Sequence, residues 1–347
     1  MKRINNLTRI ILCTISLIVI LSLSVGISLC IYHNTFAYAE DIDNEEVYLG
    51  GFPIGIDAKS QYFIVDELIN VTSSNGSFSP ALLAGVEKGD LLVTINGKII
   101  SGPETIADAV KSGNEIVLSV KRGRKLIDIS IKPEYDVTQK TYKLGFGIKN
   151  DLIGIGTMTF LTKDGRFGAL GHLIEDEFGH SSVYQSGNIF PCTVTGYNVA
   201  EPNVPGELRG AVDFSDSIGK IEKNVFCGIF GSFSVEMNDL KKVTIGSKTD
   251  VRPGKAEILT TIDDKGPKLY EIDIIKVVEQ DKPADKSMVI RVTDKRLKMT
   301  TGGILQGMSG SPIIQNGKLV GAVTHVFNAD ATKGYGVYID WMLEEII

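Results

Sequence analysis

The sequence is short of cysteine, histidine and tryptophan: four, four and one in 347 residues. Cys13 and Cys30 lie in one apolar run and read as small hydrophobes. Cys192 and Cys227 would be able to pair in an oxidising compartment, but two cysteines make no disulfide framework. No CxxC or HExxH spacing occurs, so the sequence supports no metal site and implies no cofactor. Basic residues are not in excess. The 36 Lys and Arg against 42 Asp and Glu leave a net charge of −6, which is not the footprint of a nucleic-acid binder. Glycine shows no period of three, which excludes collagen, and 43% hydrophobic with 22% charged residues excludes a disordered chain.

Glycine itself is abundant, 37 of 347 residues, or roughly 11% against a usual value of about 7%. That surplus predicts many tight turns between short strands. The length predicts about two domains. One stretch departs from the average: Ile10 to Tyr32 carries no charge. As an α-helix its 23 residues would reach roughly 34 Å, enough to cross a hydrocarbon core of about 30 Å. Lys2, Arg3 and Arg9 precede it, and Glu40, Asp41, Asp43, Glu45 and Glu46 follow. The positive-inside rule keeps residues 1–9 cytoplasmic and exports the body. The expectation is a transmembrane anchor over 10–32 and a linker over 33–45. A cleaved signal peptide competes with it, since Ala37-Tyr38-Ala39 is an A-x-A site. Either way the body lies outside the cytoplasm.

Residues 46–133 read as an α+β unit. Tyr62–Val71 is strand-rich and Ser79–Val86 predicts a short helix. The strand ending at Asn96-Gly97 carries a strong hairpin signal. Pro103–Lys111 predicts a helix with Ile106, Ala109 and Val110 on one face. Ile116–Lys121 and Leu126–Lys132 follow as strands. The string SPALLAGVEKGDLLVTINGK and this element order resemble a PDZ domain. The resemblance places a carboxylate-binding loop at Pro53-Ile54-Gly55-Ile56, where successive backbone amides would hold a peptide end. A tight glycine turn without a ligand is the plainer reading. Gly51–Ile56 has a faint echo in Gly145–Ile148. Polar, aperiodic residues 134–143 mark a linker.

Residues 144–347 offer short apolar runs and frequent glycines, at Gly154–Phe160, Gly165–His172, Ile189–Tyr197 and Val225–Val235. They predict an all-β barrel or sandwich, with a helix only over Ile339–Ile347. Gly307-Met308-Ser309-Gly310-Ser311-Pro312 carries the chemistry. A serine nucleophile needs a sharp turn that exposes its Oγ and free amides that hold an oxyanion. A polar turn between strands is the competing explanation. The next strand, Lys318–His325, fits a chymotrypsin-like arrangement, in which Val323, Thr324 and His325 would pair with the substrate backbone. Ser311, followed by proline, is the poorer nucleophile. His172 ends a strand between small residues and stands well ahead of Ser309, the order of chymotrypsin-like enzymes. His325 and His180 are rival bases, and for each of the three an ordinary structural histidine is the plainer reading. Asp213 has the spacing of a third triad member.

The chain from Leu144 to Trp341 resembles the SpoIVB serine peptidases of endospore-forming bacteria. The matching words are LGFGIKNDLIGIGTMTF, GRFGALGHLI, GELRGAV, VTDK, TGGILQGMSGSPIIQNGKLVGAVTHVF and TKGYGVYIDWML. The resemblance implies a mainly β fold: an N-terminal transmembrane helix, a PDZ-like domain, then a chymotrypsin-like β-barrel serine peptidase domain. It implies Ser309 as nucleophile, His172 as base and Asp294 as acid, with the amides of Gly307 and Ser309 as oxyanion hole. It also implies a signalling role, with the body between the forespore and mother-cell membranes. There such a protein cleaves itself, with Tyr32–Val47 as the candidate region, and then a membrane-bound regulator of an intramembrane protease, so that a mother-cell sigma factor is processed. Implied partners are protein substrates, the membrane and PDZ-bound peptides or further copies of the chain. A non-catalytic PDZ adaptor and a general exported quality-control protease are the rival functions.

Overall fold

The computed structural model describes residues 46–346 except 202, 237 and 238. Strands dominate, and two of them, Pro53–Leu68 and Phe146–Leu161, are 16 residues long. They run antiparallel and organise everything else. Pro53–Lys59 pairs with Asp151–Thr157 in a β-barrel. Ser186–Pro191 pairs on the other side of Pro53–Lys59. Their opposite ends, Ile64–Leu68 against Phe146–Lys149, lie in the PDZ-like unit, where Phe63 and Ile64 also pair with Leu92 and Leu91. The PDZ-like unit is therefore an insertion between two barrel strands, not a separate bead ahead of the barrel.

Three apolar cores follow from this arrangement. The PDZ-like core gathers Val65, Val86, Leu92, Ile95, Val110, Leu118 and Leu144. The first barrel packs Ile54, Ile56, Met158, Phe167, Tyr184 and Ile189. The second packs Ile258, Ile272, Ile290, Leu319, Val337 and Trp341. The alternation of Ile116, Leu118 and Val120 inside with Val117 outside is the period-two pattern that sets which face of a strand is buried. In the short helix Pro80–Ala84, Ser79 caps the N-terminus through Leu82 N, Pro80 opens the first turn and Gly85 ends it at φ +95°.

Several expectations are corrected. The fold class included a transmembrane helix. Among the described residues no helix is long and apolar enough to cross a membrane. The longest, Pro103–Val110, has eight residues, about 12 Å of rise against a hydrocarbon core of about 30 Å. Residues 1–9, 10–32 and 33–45 lie outside the described residues. The segment Glu46–Leu49 pairs with Leu161 and Phe160 and with Thr244–Lys242, so it belongs to the barrels rather than to the PDZ-like unit. The expected linker 134–143 is a hairpin, Glu134–Asp136 against Thr141–Lys143, with Tyr135 and Tyr142 edge to face. Val225–Val235 is broken by a turn into Gly219–Val225 and Gly228–Phe233. Helix Lys295–Thr301 was not expected, because its seven residues carry no amphipathic period. Cys192 and Cys227 are both free, Cys227 buried with its thiol on the Trp341 carbonyl.

Candidate active site

A cleft of about 430 Å³ lies between the two barrels. Leu170, His172 and Ile174 line it from the first, and Leu305, Gly307, Ser309, Thr324 and His325 from the second. The Ser309 loop is fastened from below by the second long strand. Thr157 donates its amide to the Ser309 carbonyl at 2.9 Å and its hydroxyl to the Gly307 carbonyl at 2.8 Å. Thr159 donates its hydroxyl to the Gly310 carbonyl at 2.7 Å. Gly310 sits at φ +95°, and a Cβ there would meet the Thr157 oxygen at 2.1 Å, so no other residue fits. With these carbonyls tied down, the amides of Gly307 and Ser309 donate to nothing in the chain among the described residues. They are the donors an oxyanion would need. Ser311 is fully buried and gives its hydroxyl to the Met308 carbonyl, which removes it as a nucleophile.

The Ser309 hydroxyl donates to the Thr324 carbonyl at 2.6 Å. His172 follows the strand Arg166–Ala169 through Leu170 and Gly171, both with positive φ. Its Nδ1 is 2.8 Å from the Leu173 carbonyl. Nδ1 therefore carries the proton and Nε2 is the free basic nitrogen. Burial pushes the His172 imidazole below its ordinary pKa, against the opposing pull of the Leu173 carbonyl and of the Asp285 and Glu175 carboxylates. Asn224, itself buried, bonds both the amide and the carbonyl of Ile174 and so fixes the chain after His172.

Neither expected acid reaches His172. Asp294 caps helix Lys295–Thr301, accepting from the amides of Arg296 and Leu297, and pairs with the Arg296 guanidinium at 2.7 Å. Arg296 before all else holds its carboxyl down to about 2. Asp213 is exposed and held by Ser215. His180 is paired with Asp176 at 3.0 Å outside the cleft. His325 is in the cleft, its ring 4.7 Å from that of His172. Thr324 presents its carbonyl there, whereas Val323 is buried, its carbonyl taken by the Gly310 amide. Thr157, Asn224 and the Leu173 carbonyl were not expected, since nothing in the sequence marks a threonine, an asparagine or a main-chain oxygen as a support.

The expected carboxylate loop Ile54-Gly55-Ile56 is corrected. These residues form the middle of a barrel strand paired on both sides, Ile54 is fully buried, and a Cβ on Gly55 would lie 2.2 Å from Val212 Cγ1. The feature of that kind is its echo. Gly145, at φ +83°, turns the chain into the second long strand beside helix Pro103–Val110. A cavity of about 400 Å³ opens there, lined by Ile106, Val110, Tyr142, Leu144, Gly145 and Phe146.

A histidine and a serine offered from opposite barrels across one cleft, with two free amides beside the serine, define a two-barrel serine protease. The sequence pattern of the SpoIVB peptidase S55 family matches residues 140–343, and the chain belongs to that family. The chain is also similar to serine protease HTRA1 of Xenopus laevis, 30% identical over 56 residues, and of Xenopus tropicalis, 35% over 57 residues. Each match covers 16% of this chain and only 12% of the relative's length. Among solved structures, the PDZ domain of an SdrC-like protein from Listeria monocytogenes matches at 21% identity, TM-score 0.19, over 24% of this chain and 87% of that one. The HtrA-type protease AlgW with tripeptide matches at 12% identity, TM-score 0.32, over 56% and 55%. The active form of the Rv3671c protease from M. tuberculosis matches at 15% identity, TM-score 0.28, over 56% and 73%.

Proposed function

We propose that this serine protease is a signalling endopeptidase of sporulation. It acts in the space between forespore and mother-cell membranes, cleaves itself, and then cleaves a regulator of an intramembrane protease, so that a mother-cell sigma factor precursor is processed. The observation that carries the reading is the meeting of Ser309 and His172 in one cleft beside the free amides of Gly307 and Ser309. Family membership supports the signalling role.

In the proposed reaction Ser309 turns from the Thr324 carbonyl to His172 Nε2, which takes its proton. The Oγ attacks a peptide carbonyl and the amides of Gly307 and Ser309 receive the oxyanion. The imidazolium returns its proton to the leaving amine. Water, deprotonated by His172, then releases the acyl group. The Leu144–Phe146 groove takes an extended peptide with an apolar C-terminal residue, the terminal carboxylate on the amides of Leu144 and Gly145, which donate to nothing among the described residues.

N-terminal sequencing of the purified protein beside its Ser309→Ala variant tests the reading. The parent should acquire a new N-terminus that the variant lacks, and only the parent should clip the membrane-bound regulator. Identical N-termini and an intact regulator would overturn it, and broad digestion of unfolded proteins would favour a quality-control role.

A further inference from the structure

Among the described residues no carboxylate, the partner that normally orients such a base, bonds His172. A triad carboxylate has two jobs: it fixes the tautomer and it fixes the orientation of the ring. Here the tautomer is set by the Leu173 carbonyl at 2.8 Å. That carbonyl belongs to the next residue and holds one edge of the ring, leaving the ring face to be packed. A second imidazole lies beside it. The rings of His172 and His325 have centroids 4.7 Å apart and planes inclined at 36°. His325 is exposed and His172 is half-buried beside it. Its backbone is not free to move away. Thr324, next to it, holds Ser309 through its carbonyl, and the chain before His172 is seated on the same strand: a Cβ on Gly171 would lie 3.0 Å from the Val323 oxygen.

We propose that His325 is a positioning residue for His172, its ring stacking on the base and shielding it from water where the orienting carboxylate is missing. The proposal rests on the reading of Ser309 and His172 as nucleophile and base. The charged groups acting on the pair are Glu175, on the His172 loop, and Asp285 and Lys286, ahead of the strand Met288–Val292. Burial, and then the charge of His172, push the His325 imidazole below its ordinary pKa. At neutral pH His325 thus presents an uncharged ring, and its nitrogens are not what the role requires.

A fluorophosphonate probe reads this directly. Ser309 Oγ bonds to phosphorus, fluoride leaves, and His172 takes the hydroxyl proton. Labelling rates of the full chain are measured from pH 4 to 9 for the parent, Ser309→Ala, His325→Phe and His325→Gln, with thermal unfolding of each. His325→Phe keeps the ring and should keep most of the rate. His325→Gln keeps a polar side chain without the ring. It should label roughly 100-fold more slowly, the loss expected of a misplaced catalytic group. Its acid inflection should move upward as water reaches His172. A parent that fails to label, or a Ser309→Ala variant that labels equally, would overturn the protease reading itself. With the parent labelled at Ser309, a His325→Gln variant indistinguishable from it in rate and inflection would overturn the positioning role alone. So would a folded His325→Phe variant slowed by roughly 100-fold.

Discussion

The Ser309 hydroxyl rests on the Thr324 carbonyl at 2.6 Å, not on His172. The nucleophile therefore has to exchange one acceptor for another before it can react. Thr324 lies on the strand expected to pair with a substrate backbone, so an incoming peptide N–H competes for the same carbonyl. Covalent labelling should trap the result. In a crystal structure of the fluorophosphonate adduct, Ser309 Oγ should no longer contact the Thr324 oxygen. The phosphoryl oxygen should lie within hydrogen-bond distance of the Gly307 and Ser309 amides. An adduct whose phosphoryl oxygen points away from both amides would remove the oxyanion assignment.

Gly310→Ala should be among the most damaging single changes in the second barrel. It places a Cβ 2.1 Å from the Thr157 oxygen at a backbone φ of +95°. The strain of the angle alone is about 1–3 kcal/mol, and the collision adds to it. The loop can relieve the clash only by breaking the Thr157 and Thr159 bonds that hold Gly307, Ser309 and Gly310. Chemical denaturation should register the loss of stability, and labelling of whatever folds should fall by at least 100-fold.

Asp294 separates two accounts of the site. As helix cap and Arg296 partner it contributes to stability; as triad acid it would contribute to rate. Asp294→Asn keeps a capping side chain and loses the ion pair, so it should cost about 1 kcal/mol; Asp294→Ala should cost about 2 kcal/mol. A fall in rate of about 10⁴ in the folded Asn variant would return it to the triad. The pH dependence has a definite sign. With the native carboxyl held at about 2, its contribution is full above the unfolded value of about 3.9 and is lost as the pH falls toward 2. Urea titrations of parent and Asn variant between pH 2 and 6 should converge at the acid end.

Local chemistry was legible in the sequence wherever the signal was itself local. Asn96-Gly97 made its turn with both residues at positive φ, and Ser79-Pro80 opened its helix. Ser309 and His172 were found from their words, and the structure lines one cleft with both. What failed was connection between distant segments. Nothing in Pro53–Leu68 shows that one end serves a barrel and the other a PDZ-like unit, so from sequence Gly55 reads as a loop residue although Val212 closes over it. Asp294 caps a helix, and its partner is two residues away rather than across the cleft.

The relocated groove makes a binding prediction. Ile106, Val110, Leu144 and Phe146 line it. A peptide with an apolar C-terminal residue and a free carboxylate should bind the full chain, and the same peptide amidated should bind at least tenfold more weakly, the loss of one charge-assisted contact. Ile106→Glu should weaken the free peptide similarly, and because Ile106 also packs on the PDZ-like core it should lower the unfolding temperature as well. Fluorescence anisotropy of the labelled peptides distinguishes this from the Ile54–Ile56 site. Equal binding of both peptides would leave no carboxylate pocket at Leu144–Gly145.

The buried base sets the acid limit of the reaction. Burial places the native His172 pKa below the ordinary imidazole value of about 6.5, so the ring stays neutral and able to accept a proton at pH values where a free histidine is charged. The acid limb of the labelling rate should accordingly fall below pH 6.5 rather than above it. Stability must follow the same sign. The unfolded chain takes up the proton first, so the contribution of neutral His172 is full above about 6.5 and is lost as the pH falls through the native value. His172→Gln removes this titration. As the pH falls below about 6.5, stability of the parent should decline more steeply than that of His172→Gln, as read by urea midpoints. A parent whose labelling rate already halves above pH 7 would place a charged, solvent-exposed imidazole at the site, and the buried neutral base would have to be abandoned.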